Sequence, residues 1–598
     1  MFLVQAKRYG DRVLYRFFRE GEWRSYTWQE ALLLVREVGT GLLSLGVTRG
    51  DRLAIFSANR VEWSLADWAN ICIGGLSVPI YSSSTAGQVS HILEHSGSVI
   101  LFVDSADRLS KVKLHDPALR QVRKIVVMET MEHGLSPSLD SARVIAWDEL
   151  RELGKAAGEK AQENFFRSAA SLKAEDDLTI IYTSGTTGEP KGVLTTHGHY
   201  LFMVEAVNGA LHSTDQDVNL QFLPFAHSFG RLEHFMVVAR GYTCGFARSL
   251  ETVARDLQII RPTILFSVPR IYENAYDRIR SRTATAGFGQ RLFFRIAFSI
   301  GRQISRGEQQ QKKISWTLRQ AQRLAHLLVF SKIQSAFGGR LRLAISGGAP
   351  LAREIAEFFH VLGILILEGY GLTETSTVSH VNRLERYKFG TVGLPLDGVE
   401  CRIGPDGEIL LQGPNIFKGY YRDPAATQEA LDAQGWFHSG DIGEIDAEGF
   451  LRITDRKKDL IVTSGGKKVA PQLIENLLKT DPLIKQVLVL GDRQRHLFAL
   501  IVLEQGKIRE WAERRGLQFR NAEEMLAHPQ VLALVKERIR QKNKDLAPFE
   551  AVRGFRIVPN EFTVEREELT PSLKIRRQAV VEHYKDIVEE MFHRSRAE

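Results

Sequence analysis

Residues 341–375 read LRLAISGGAPLAREIAEFFHVLGILILEGYGLTET, a pattern of strand, turn, helix and strand. The apolar stretch at 341–346 predicts a strand, and GGAP at 347–350 predicts a turn with proline near a helix start. The apolar residues that follow recur on one face of a helix: Leu351, Ile355, Phe358, Phe359 and Leu362. Gly363 is placed to end that helix, and residues 364–367 predict the next strand. Because ligands of open α/β sheets bind at the carboxyl ends of strands, both glycine-rich turns of this unit lie where a ligand is expected.

The parts of the chain before and after this unit differ in their sequence patterns. Before residue 175, helical patterns alternate with short apolar strands such as RLAIFS at 52–57 and SVILFV at 98–103. This alternation favours a parallel α/β sheet. From about residue 391, short strands such as EILLQ at 408–412 alternate with Gly, Pro and Asp turns. This second pattern predicts a small β-subdomain over residues 385–455.

A charged break, DRKKD at 455–459, follows the predicted β-subdomain and stands between two apolar strands. The residues after it make a segment of typical domain size. We therefore expect a large α/β N-terminal domain at 1–455, a hinge at 456–458 and a smaller, mobile α+β C-terminal domain at 459–598.

Composition limits the class of protein. The 598 residues are 44% hydrophobic and 25% charged, which is ordinary for a globular chain and excludes disorder. The three cysteines lie far apart, so neither a zinc site nor a disulfide framework is expected. No signal peptide is recognised, and no apolar run approaches the roughly 18 residues that a membrane span needs. We expect a cytoplasmic protein that at most touches the inner face of a membrane peripherally.

The positive charge is concentrated in one segment. Between Arg278 and Arg342 there are fourteen Lys and Arg residues and one acid, Glu308, so this segment has a net charge of +13. The whole chain has a net charge of +8, so the rest of it is slightly acidic. Basic residues recur at helical spacing at Arg291, Arg295, Arg302 and Arg306. Apolar residues fall largely on another side of the same helix, at Leu292, Phe293, Ile296 and Ile300.

Two interpretations of this amphipathic helix stay open. The favoured one is that its apolar face packs on the protein's own core and its arginines are solvated, as in most amphipathic helices. The alternative is peripheral contact with an anionic membrane through residues 291–306. The chain contains no recognisable nucleic-acid-binding module, so nucleic acid is not expected as a partner.

The string YTSGTTGEPKG at 182–192 follows a strand-like run and points to phosphate chemistry. Glycines let backbone N–H groups turn toward an anion, the hydroxyls add donors, and Lys191 adds a cation. The spacing is not that of a Walker loop. An ordinary glycine-rich turn is the alternative for such a loop taken alone.

With this string, the chain resembles the adenylate-forming superfamily of acyl-CoA synthetases, luciferases and adenylation domains, and within it the bacterial long-chain fatty acid–CoA ligases. The resemblance runs from Tyr26 to Lys574. Eight strings carry it in order: YTSGTTGEPKG at 182–192, LPFAHSFGR at 223–231, RPTILFSVPRIYE at 261–273, SGGAPL at 346–351, EGYGLTETS at 368–376, GWFHSGDIG at 435–443, DRKKDLIVTSGGKKVAP at 455–471 and LTPSLKIRR at 569–577.

The resemblance implies binding roles for residues in these strings. The nucleotide-binding residues that it implies are Thr183, Ser184, Gly185, Thr186, Thr187, Gly188, Lys191, Gly348, Ala349, Pro350, Tyr370, Gly371, Thr373, Asp441 and Arg456. It places the adenine against Tyr370 and the ribose hydroxyls on Asp441. It also implies that Glu374 helps to bind Mg²⁺ and that His227 stands near the carboxylate of the acyl substrate.

Lys574 is the residue that the resemblance implies for the central catalytic role. A lysine that bridges a carboxylate and the α-phosphate offsets the repulsion between two anions where charge develops. In such enzymes the C-terminal domain rotates between two half-reactions, here about Lys458. The rotation would bring the loop with Gly465, Gly466 and Lys467 to the site as a channel for CoA.

The expected activity is ATP-dependent formation of a long-chain acyl-AMP, followed by transfer of the acyl group to CoA. ATP, Mg²⁺ and CoA are the implied cofactors and co-substrates, with a fatty acid as the acid substrate. A fatty acyl-AMP ligase that delivers to a carrier protein is the main alternative. A catalytically inactive nucleotide-binding protein and an amino-acid adenylation domain are further alternatives. The sequence leaves the acyl chain length, the oligomeric state and the residues for the CoA 3′-phosphate open.

Overall fold

The structure is a computed structural model that describes residues 1–110, 112, 119–129, 143–183, 189–310, 312–571 and 574–597. Five of the predicted phosphate-binding residues therefore lie outside the described residues: Ser184, Gly185, Thr186, Thr187 and Gly188. The residues that flank this loop on both sides are described.

The largest sheet has eight strands, mostly parallel, with an antiparallel edge. In spatial order the strands are Gly419–Tyr420, Lys191–Thr196, Asp177–Thr183, Leu76–Ile80, Arg52–Phe56, Ser98–Val103, Lys124–Val127 and Val144–Ala146. Leu53 and Ile55 point into one apolar core, and Ala54 and Phe56 point into another. Because both faces are covered, these strands are almost continuously apolar, as the sequence pattern predicted.

A five-stranded sheet contains the unit at 341–375. Its strands, in order, are Ile264–Ser267, Leu343–Ser346, Ile366–Tyr370, His380–Val381 and Leu394–Pro395. The first three strands are parallel, so their carboxyl ends meet at one edge.

The predicted strand, helix and strand of this unit are confirmed, with shifted bounds. The helix is Arg353–Val361, and the following strand starts at Ile366 rather than at 364. Gly363 has a φ of 80°, and the Ile364 N–H donates to the Phe359 carbonyl at 2.9 Å. This left-handed helix end uses two residues that the apolar pattern had assigned to the strand.

Two smaller sheets complete the part of the chain before the charged break. One has the order Val218–Gln221, Thr243–Phe246, Val13–Arg19 and Glu22–Thr27. The other is antiparallel and has the order Glu400–Ile403, Glu408–Gln412, Phe437–Ile445 and Leu451–Arg456. The second of these falls in the predicted β-subdomain except at its end, since its last strand runs on to Arg456, the first residue of the predicted hinge.

The part after the break is built on a three-stranded sheet of Ile484–Leu490, Leu497–Leu503 and Val552–Ile557. A short hairpin, Ile461–Val462 with Lys468–Val469, precedes it. Separate apolar clusters pack on the two faces of the sheet, so this part has a core of its own.

Helices cover the sheets, and local signals set several of their ends. Thr27 and Glu30 form a capping box at the start of the second helix. The helices before the break are Phe2–Tyr9, Trp28–Ser44, Val61–Cys72, Ala86–Ser96, Ala106–Ser110, Trp147–Ala156, Gly158–Ala170, His197–Leu211, Ser228–Arg240, Val253–Ile260, Pro269–Thr285, Phe288–Gln309, Trp316–Ala325, Ser331–Ser335, Arg353–Val361 and Pro424–Ala430. Those after it are Pro471–Lys479, Gln505–Glu513, Ala522–Ala527, Pro529–Lys542, Arg577–His583 and Lys585–Ala597.

The predicted amphipathic helix is present as Phe288–Gln309, but its favoured interpretation is wrong in part. The residues that it buries are Ala297, Gly301, Ile304 and Ser305. Leu292, Phe293 and Ile296 are exposed instead of packing on the core. The reason is tertiary, because the core contacts the side of the helix that carries small residues. Throughout the described ranges, no helix is long and apolar enough to cross a membrane.

Candidate active site

The turn at 347–350 lies at the carboxyl end of strand Leu343–Ser346, where an α/β sheet offers a ligand site. Glu368, on the neighbouring strand, accepts a hydrogen bond from the Leu351 N–H at 3.1 Å. Burial raises the pKa of Glu368 to about 7. Glu368 therefore holds the turn that contains Gly348, Ala349 and Pro350. Sequence analysis missed Glu368, although an acid at the end of the apolar run ILIL was a signal for it.

Tyr370 ends the same strand and connects the five-stranded sheet to the β-subdomain. Its hydroxyl donates to the Asp441 carboxylate at 2.7 Å. Asp441 lies in register with Arg456 on the adjacent strand, and the two side chains approach to 3.3 Å. Burial raises the pKa of Asp441, while Arg456, Tyr370 and Lys574 oppose that rise. These contacts bring together three of the predicted nucleotide-binding residues.

Gly371 follows Tyr370 and allows the chain to fold back closely on itself. A Cβ at this position would lie 1.9 Å from the carbonyl oxygen of Thr377. Only glycine fits there without moving the backbone. The close approach leads directly into the 3₁₀ turn Thr373–Thr375, which presents Glu374.

Glu374 is fixed by a residue that sequence analysis did not select. The Tyr420 hydroxyl donates to the Glu374 carboxylate at 2.8 Å. The ammonium of Lys191 lies 5.1 Å from the centre of the Tyr420 ring, at a cation–π distance. Burial raises the pKa of Glu374, and the Tyr420 hydrogen bond opposes that rise. Tyr420 thus links a carboxylate to a cation that flanks the glycine-rich loop.

The two ends of that loop are held together by the eight-stranded sheet. Thr183 and Lys191 are register partners on antiparallel strands. The Thr183 hydroxyl donates to the Lys191 carbonyl at 3.5 Å. The loop between them therefore starts and ends at one place, beside Tyr420.

His227 caps the helix Ser228–Arg240, since its Nδ1 accepts from the Phe229 N–H at 3.1 Å. Burial and the positive charge of Lys574 lower the pKa of His227 to about 4. The imidazole is therefore neutral at physiological pH. Its nearness to Lys574 brings a residue from the centre of the chain together with one from its end.

Lys574 lies after the break and forms two hydrogen bonds with Thr570. The Thr570 N–H donates to the Lys574 carbonyl at 2.8 Å, and the Lys574 N–H donates to the Thr570 hydroxyl at 3.0 Å. Part of the side chain is exposed, but the protein atoms around the ammonium reduce its hydration. That burial and the charge of Arg456 lower the pKa of Lys574 to about 8, while Asp441 and Glu374 oppose the change.

Models of two known protein families match the chain. Residues 2–421 match the AMP-binding enzyme family, and residues 458–596 match the AMP-binding enzyme C-terminal domain. The chain belongs to the AMP-binding enzyme family. Its match to the C-terminal domain begins at Lys458, inside the hinge that the charged break predicted.

The relatives of this AMP-binding enzyme include long-chain-fatty-acid–CoA ligase FadD15 of Mycobacterium tuberculosis, which is 35% identical over 98% of the chain and 95% of that protein. Long chain acyl-CoA synthetase 7, peroxisomal, of Arabidopsis thaliana is 31% identical over 96% of the chain and 82% of that protein. A solved structure that superposes on this chain is the A domain of the carboxylic acid reductase of Segniliparus rugosus, in complex with AMP and a co-purified carboxylic acid. The TM-score is 0.75 at 20% identity, and the superposition covers 99% of this chain and 93% of that one.

The charged break of this AMP-binding enzyme is anchored differently on its two sides. Lys457 pairs with Asp406 at 2.7 Å and with Glu408 at 2.9 Å, both in the β-subdomain. Asp459 lies 3.8 Å from Arg577, which follows the break. Lys458, between them, is exposed and forms no ion pair with any described residue. The residues on the two sides of Lys458 are thus paired with different parts of the chain.

The predicted CoA loop joins the two strands of the short hairpin after the break. Its residues Gly465, Gly466 and Lys467 are exposed. A Cβ added at either glycine would meet no atom within 4 Å. The structure thus brings Lys574 near two of the predicted nucleotide-binding residues, Asp441 and Arg456, while this loop is open to solvent.

Proposed function

We propose that this protein is a long-chain fatty acid–CoA ligase that forms an acyl-AMP from ATP and then an acyl-CoA. Its full-length relatives with that name support the proposal. The single observation that supports it most strongly is the electrostatic neighbourhood of Lys574, whose pKa responds to Arg456, Asp441 and Glu374 and whose charge lowers the pKa of His227. This is a cation from the end of the chain at a site that suits a nucleotide.

In the first half-reaction, a fatty acid carboxylate attacks the α-phosphorus of ATP, and pyrophosphate leaves. Both reactants are anions, so the barrier contains their mutual repulsion. We assign Lys574 to bridge the carboxylate and the α-phosphate, where its charge acts as negative charge builds up. Neutral His227 would lie beside the acyl carboxylate without adding charge.

The nucleotide is held, in this proposal, by the residues that meet at the carboxyl ends of the strands. The Tyr370 ring supplies a flat wall for adenine. Asp441 would accept hydrogen bonds from the ribose hydroxyls, and Arg456 opposes the rise in the pKa of Asp441 that burial causes. Thr373, Thr183 and Lys191 would contact phosphates, together with the loop 184–188.

Glu374 is the proposed Mg²⁺ ligand. Mg²⁺ is usually bound by one or two carboxylates together with substrate phosphates. Glu374 is linked through Tyr420 to Lys191, which flanks the phosphate loop, and its charge acts on Lys574. A bound Mg²⁺ would neutralise charge on the leaving pyrophosphate.

Glu374→Gln is expected to raise the Mg²⁺ concentration needed for half-maximal pyrophosphate release by at least about tenfold, since the amide carries no charge for the cation. Tyr420→Phe is the matched variant. It removes the hydrogen bond but keeps the ring beside Lys191, so its effect should be smaller. Titration of Mg²⁺ at saturating ATP measures both effects. An unchanged Mg²⁺ requirement in Glu374→Gln contradicts the assignment.

The second half-reaction requires the CoA thiol to reach the acyl-AMP carbonyl. We propose that rotation about Lys458 withdraws Lys574 and brings Gly465, Gly466 and Lys467 to the site. The separate core after the break and the anchors on either side of Lys458 support this motion. Small residues in the loop would let the pantetheine chain pass close to the backbone.

An ion pair between Lys507 and Asp277, at 3.4 Å, joins the two sides of the hinge in the arrangement with Lys574 in the site. Lys507→Glu places two acids together, so adenylation should slow by a few-fold, while the thioester step should not slow. The exchanged pair Lys507→Asp with Asp277→Lys should restore the rate. Single-turnover measurements of both half-reactions test this, and equal slowing of the two half-reactions would argue against a role in domain position.

The activity itself is tested with palmitate, ATP and Mg²⁺, in the presence and absence of CoA. The proposal predicts palmitoyl-AMP and pyrophosphate without CoA, and sustained palmitoyl-CoA formation with it. Acyl-AMP formation with transfer only to a carrier protein would favour the acyl-AMP ligase alternative. Activity that is restricted to amino acids would overturn the proposal. So would the absence of activity with every acid tested.

A further inference from the structure

Helices Phe288–Gln309 and Trp316–Ala325 form a helical hairpin whose outer surface is unusually apolar. They pack on each other and are followed by the π-helical turn His326–Phe330. We count this turn as part of the hairpin. Its large apolar side chains are strongly exposed, with exposed fractions of 77% at Phe288, 64% at Phe293, 72% at Trp316 and 73% at Leu327. Others, less exposed but still outside the core, are Leu292, Ile296, Leu324 and Leu328.

The opposite side of the first helix is fixed to the body of the protein. A Cβ at Gly301 would lie 2.7 Å from a methyl group of Val361, so the two helices touch there. Ser305 and His360 share a hydrogen bond at 2.7 Å. The rings of Phe298 and Phe358 lie 5.4 Å apart. The orientation of the hairpin is therefore set by packing, which leaves its apolar face outward.

Arginines run beside the exposed apolar residues on both helices. At about 100° per residue, Arg291, Arg295, Arg302 and Arg306 share one narrow stripe of the first helix. The exposed Phe288, Leu292 and Ile296 follow directly beside it. The second helix repeats the arrangement, with Arg319 and Arg323 beside Trp316 and Leu324. In each helix the solvent face thus carries a cationic stripe next to an apolar one.

Glu308 interacts electrostatically with Arg319, but acids of the described chain neutralise few of the other charges. The segment 278–342 has a net charge of +13, and its acid Glu308 pairs with His360 at 3.4 Å. Among the described residues, no ion pair involves Arg291, Arg295, Arg319 or Arg323, in contrast to Arg342, which pairs with Asp217. The stripe is free to bind an external anion.

We propose that this helical hairpin docks on an anionic lipid bilayer, with its apolar side chains in the interface and its arginines on the headgroups. A surface with apolar and basic residues side by side matches the boundary between acyl chains and anionic headgroups. A second copy of the chain fits less well, because a two-fold contact would bring two strongly positive faces together. Nucleic acid would match the charge but not the exposed Phe, Leu and Ile side chains. The inference does not depend on the proposed ligase activity.

The experiment is co-sedimentation of the full chain with vesicles of phosphatidylglycerol and phosphatidylcholine, compared with pure phosphatidylcholine. Binding is expected with the anionic vesicles and should weaken as salt is raised. The variant Arg291→Glu, Arg295→Glu, Arg319→Glu, Arg323→Glu should lower the partition coefficient by more than about tenfold, because each basic residue near the surface contributes about 1 kcal/mol.

A charge-matched comparison sets Arg291→Glu, Arg295→Glu against the reversal of two strongly exposed arginines elsewhere, Arg493→Glu and Arg520→Glu; this control should bind as the parent does. A second variant, Leu292→Ser, Phe293→Ser, Leu327→Ser, keeps the charge and should also lose binding. Melting temperatures show whether each variant is folded. Equal loss of binding in the control would show that only the net charge of the protein matters, not the position of the arginines, and would overturn the proposal.

Trp316 reports insertion directly. Its fluorescence, taken as the difference between the parent and Trp316→Phe, should shift to shorter wavelength with anionic vesicles and be quenched by brominated lipid chains. Anionic vesicle binding without any change at Trp316 contradicts docking through this hairpin. Binding to an RNA homopolymer with no binding to vesicles would overturn the choice of partner.

Discussion

Replacing Lys574 by alanine should slow acyl-AMP formation by about 100- to 1,000-fold, the usual cost of removing one group that stabilises transition-state charge. The ammonium is the cation that the part of the chain after the break brings to Asp441, Glu374 and His227. Without it, the carboxylate and the α-phosphate meet with their repulsion uncompensated. Transfer of the acyl group from supplied acyl-AMP to CoA should stay near the parent rate, because the proposed rotation about Lys458 withdraws Lys574 in that step. Single-turnover assays of the two half-reactions make the measurement.

Lys585→Ala is the matched control, because it removes an exposed lysine after the break that lies outside the site. It should leave both half-reactions unchanged. Adenylation at the parent rate in Lys574→Ala would show that the proposed role is wrong. Equal loss in both half-reactions would point to a folding defect instead.

The pH dependence offers a separate test of the same residue. Burial and the charge of Arg456 lower the pKa of Lys574 to about 8, so the free enzyme loses this cation as the pH rises through that value. The kcat/KM for adenylation should therefore fall above about pH 8. In Lys574→Arg, whose guanidinium stays charged, the alkaline fall should disappear even if the rate is lower. The same alkaline fall in both proteins contradicts the assignment.

The largest loss of stability is expected from Asp67→Asn. Asp67 and Arg231 are both fully buried and lie 2.5 Å apart, and Asp67 also contacts His234 at 3.2 Å. Among the described residues, Nε and Nη2 of Arg231 have no hydrogen-bond partner, so Asp67 is its main compensation. Leaving the guanidinium buried without its counter-charge should cost about 3–5 kcal/mol. A fall of several degrees in the melting temperature is the measurement.

The double variant Asp67→Leu with Arg231→Met tests the reason for that loss. It removes both charges at similar volume, so it should recover much of the stability. Glu152→Gln breaks the exposed pair with Lys155 and serves as the control, with no measurable change expected. A loss in Glu152→Gln as large as in Asp67→Asn would show that burial does not set the cost.

Lowering the pH should destabilise the parent protein for the same reason, without a mutation. Burial raises the pKa of Asp67, but Arg231 and His234 outweigh it and hold the pKa at about 2. Because this value is below that of an unfolded aspartate, about 4, the stabilisation is present above pH 4 and is lost as the pH falls toward 2. The gap in melting temperature between the parent and Asp67→Asn should narrow over that interval.

The strands at 52–57 and 98–103 were predictable because strands buried on both faces are apolar throughout. The strand after Gly363 was predicted two residues early, since apolar residues that close a helix look the same as those that begin a strand. Glu368 and Tyr420 were missed because their importance depends on partners distant in the chain, Leu351 in one case and Glu374 in the other.

The amphipathic helix shows most clearly what pattern cannot supply. Periodicity predicted its existence and its two stripes, and it suggested that the apolar stripe faces the core. The structure buries Ala297, Gly301 and Ile304 instead, because small residues let the helix approach Val361 closely. Which side of a helix is buried is decided by the surface that it meets, and that surface comes from elsewhere in the chain.

The order of residues along the chain by itself determined the family, the alternation of strands and helices, and which residue types stand at the ends of strands, because these depend on local spacing. Tertiary structure decided which of those residues meet. It brought Lys574 to Asp441 and His227, linked Glu374 to Lys191 through Tyr420, and turned the apolar stripe of the hairpin to solvent. The physical reason is that charge interactions and burial act through space, over distances that sequence separation does not measure.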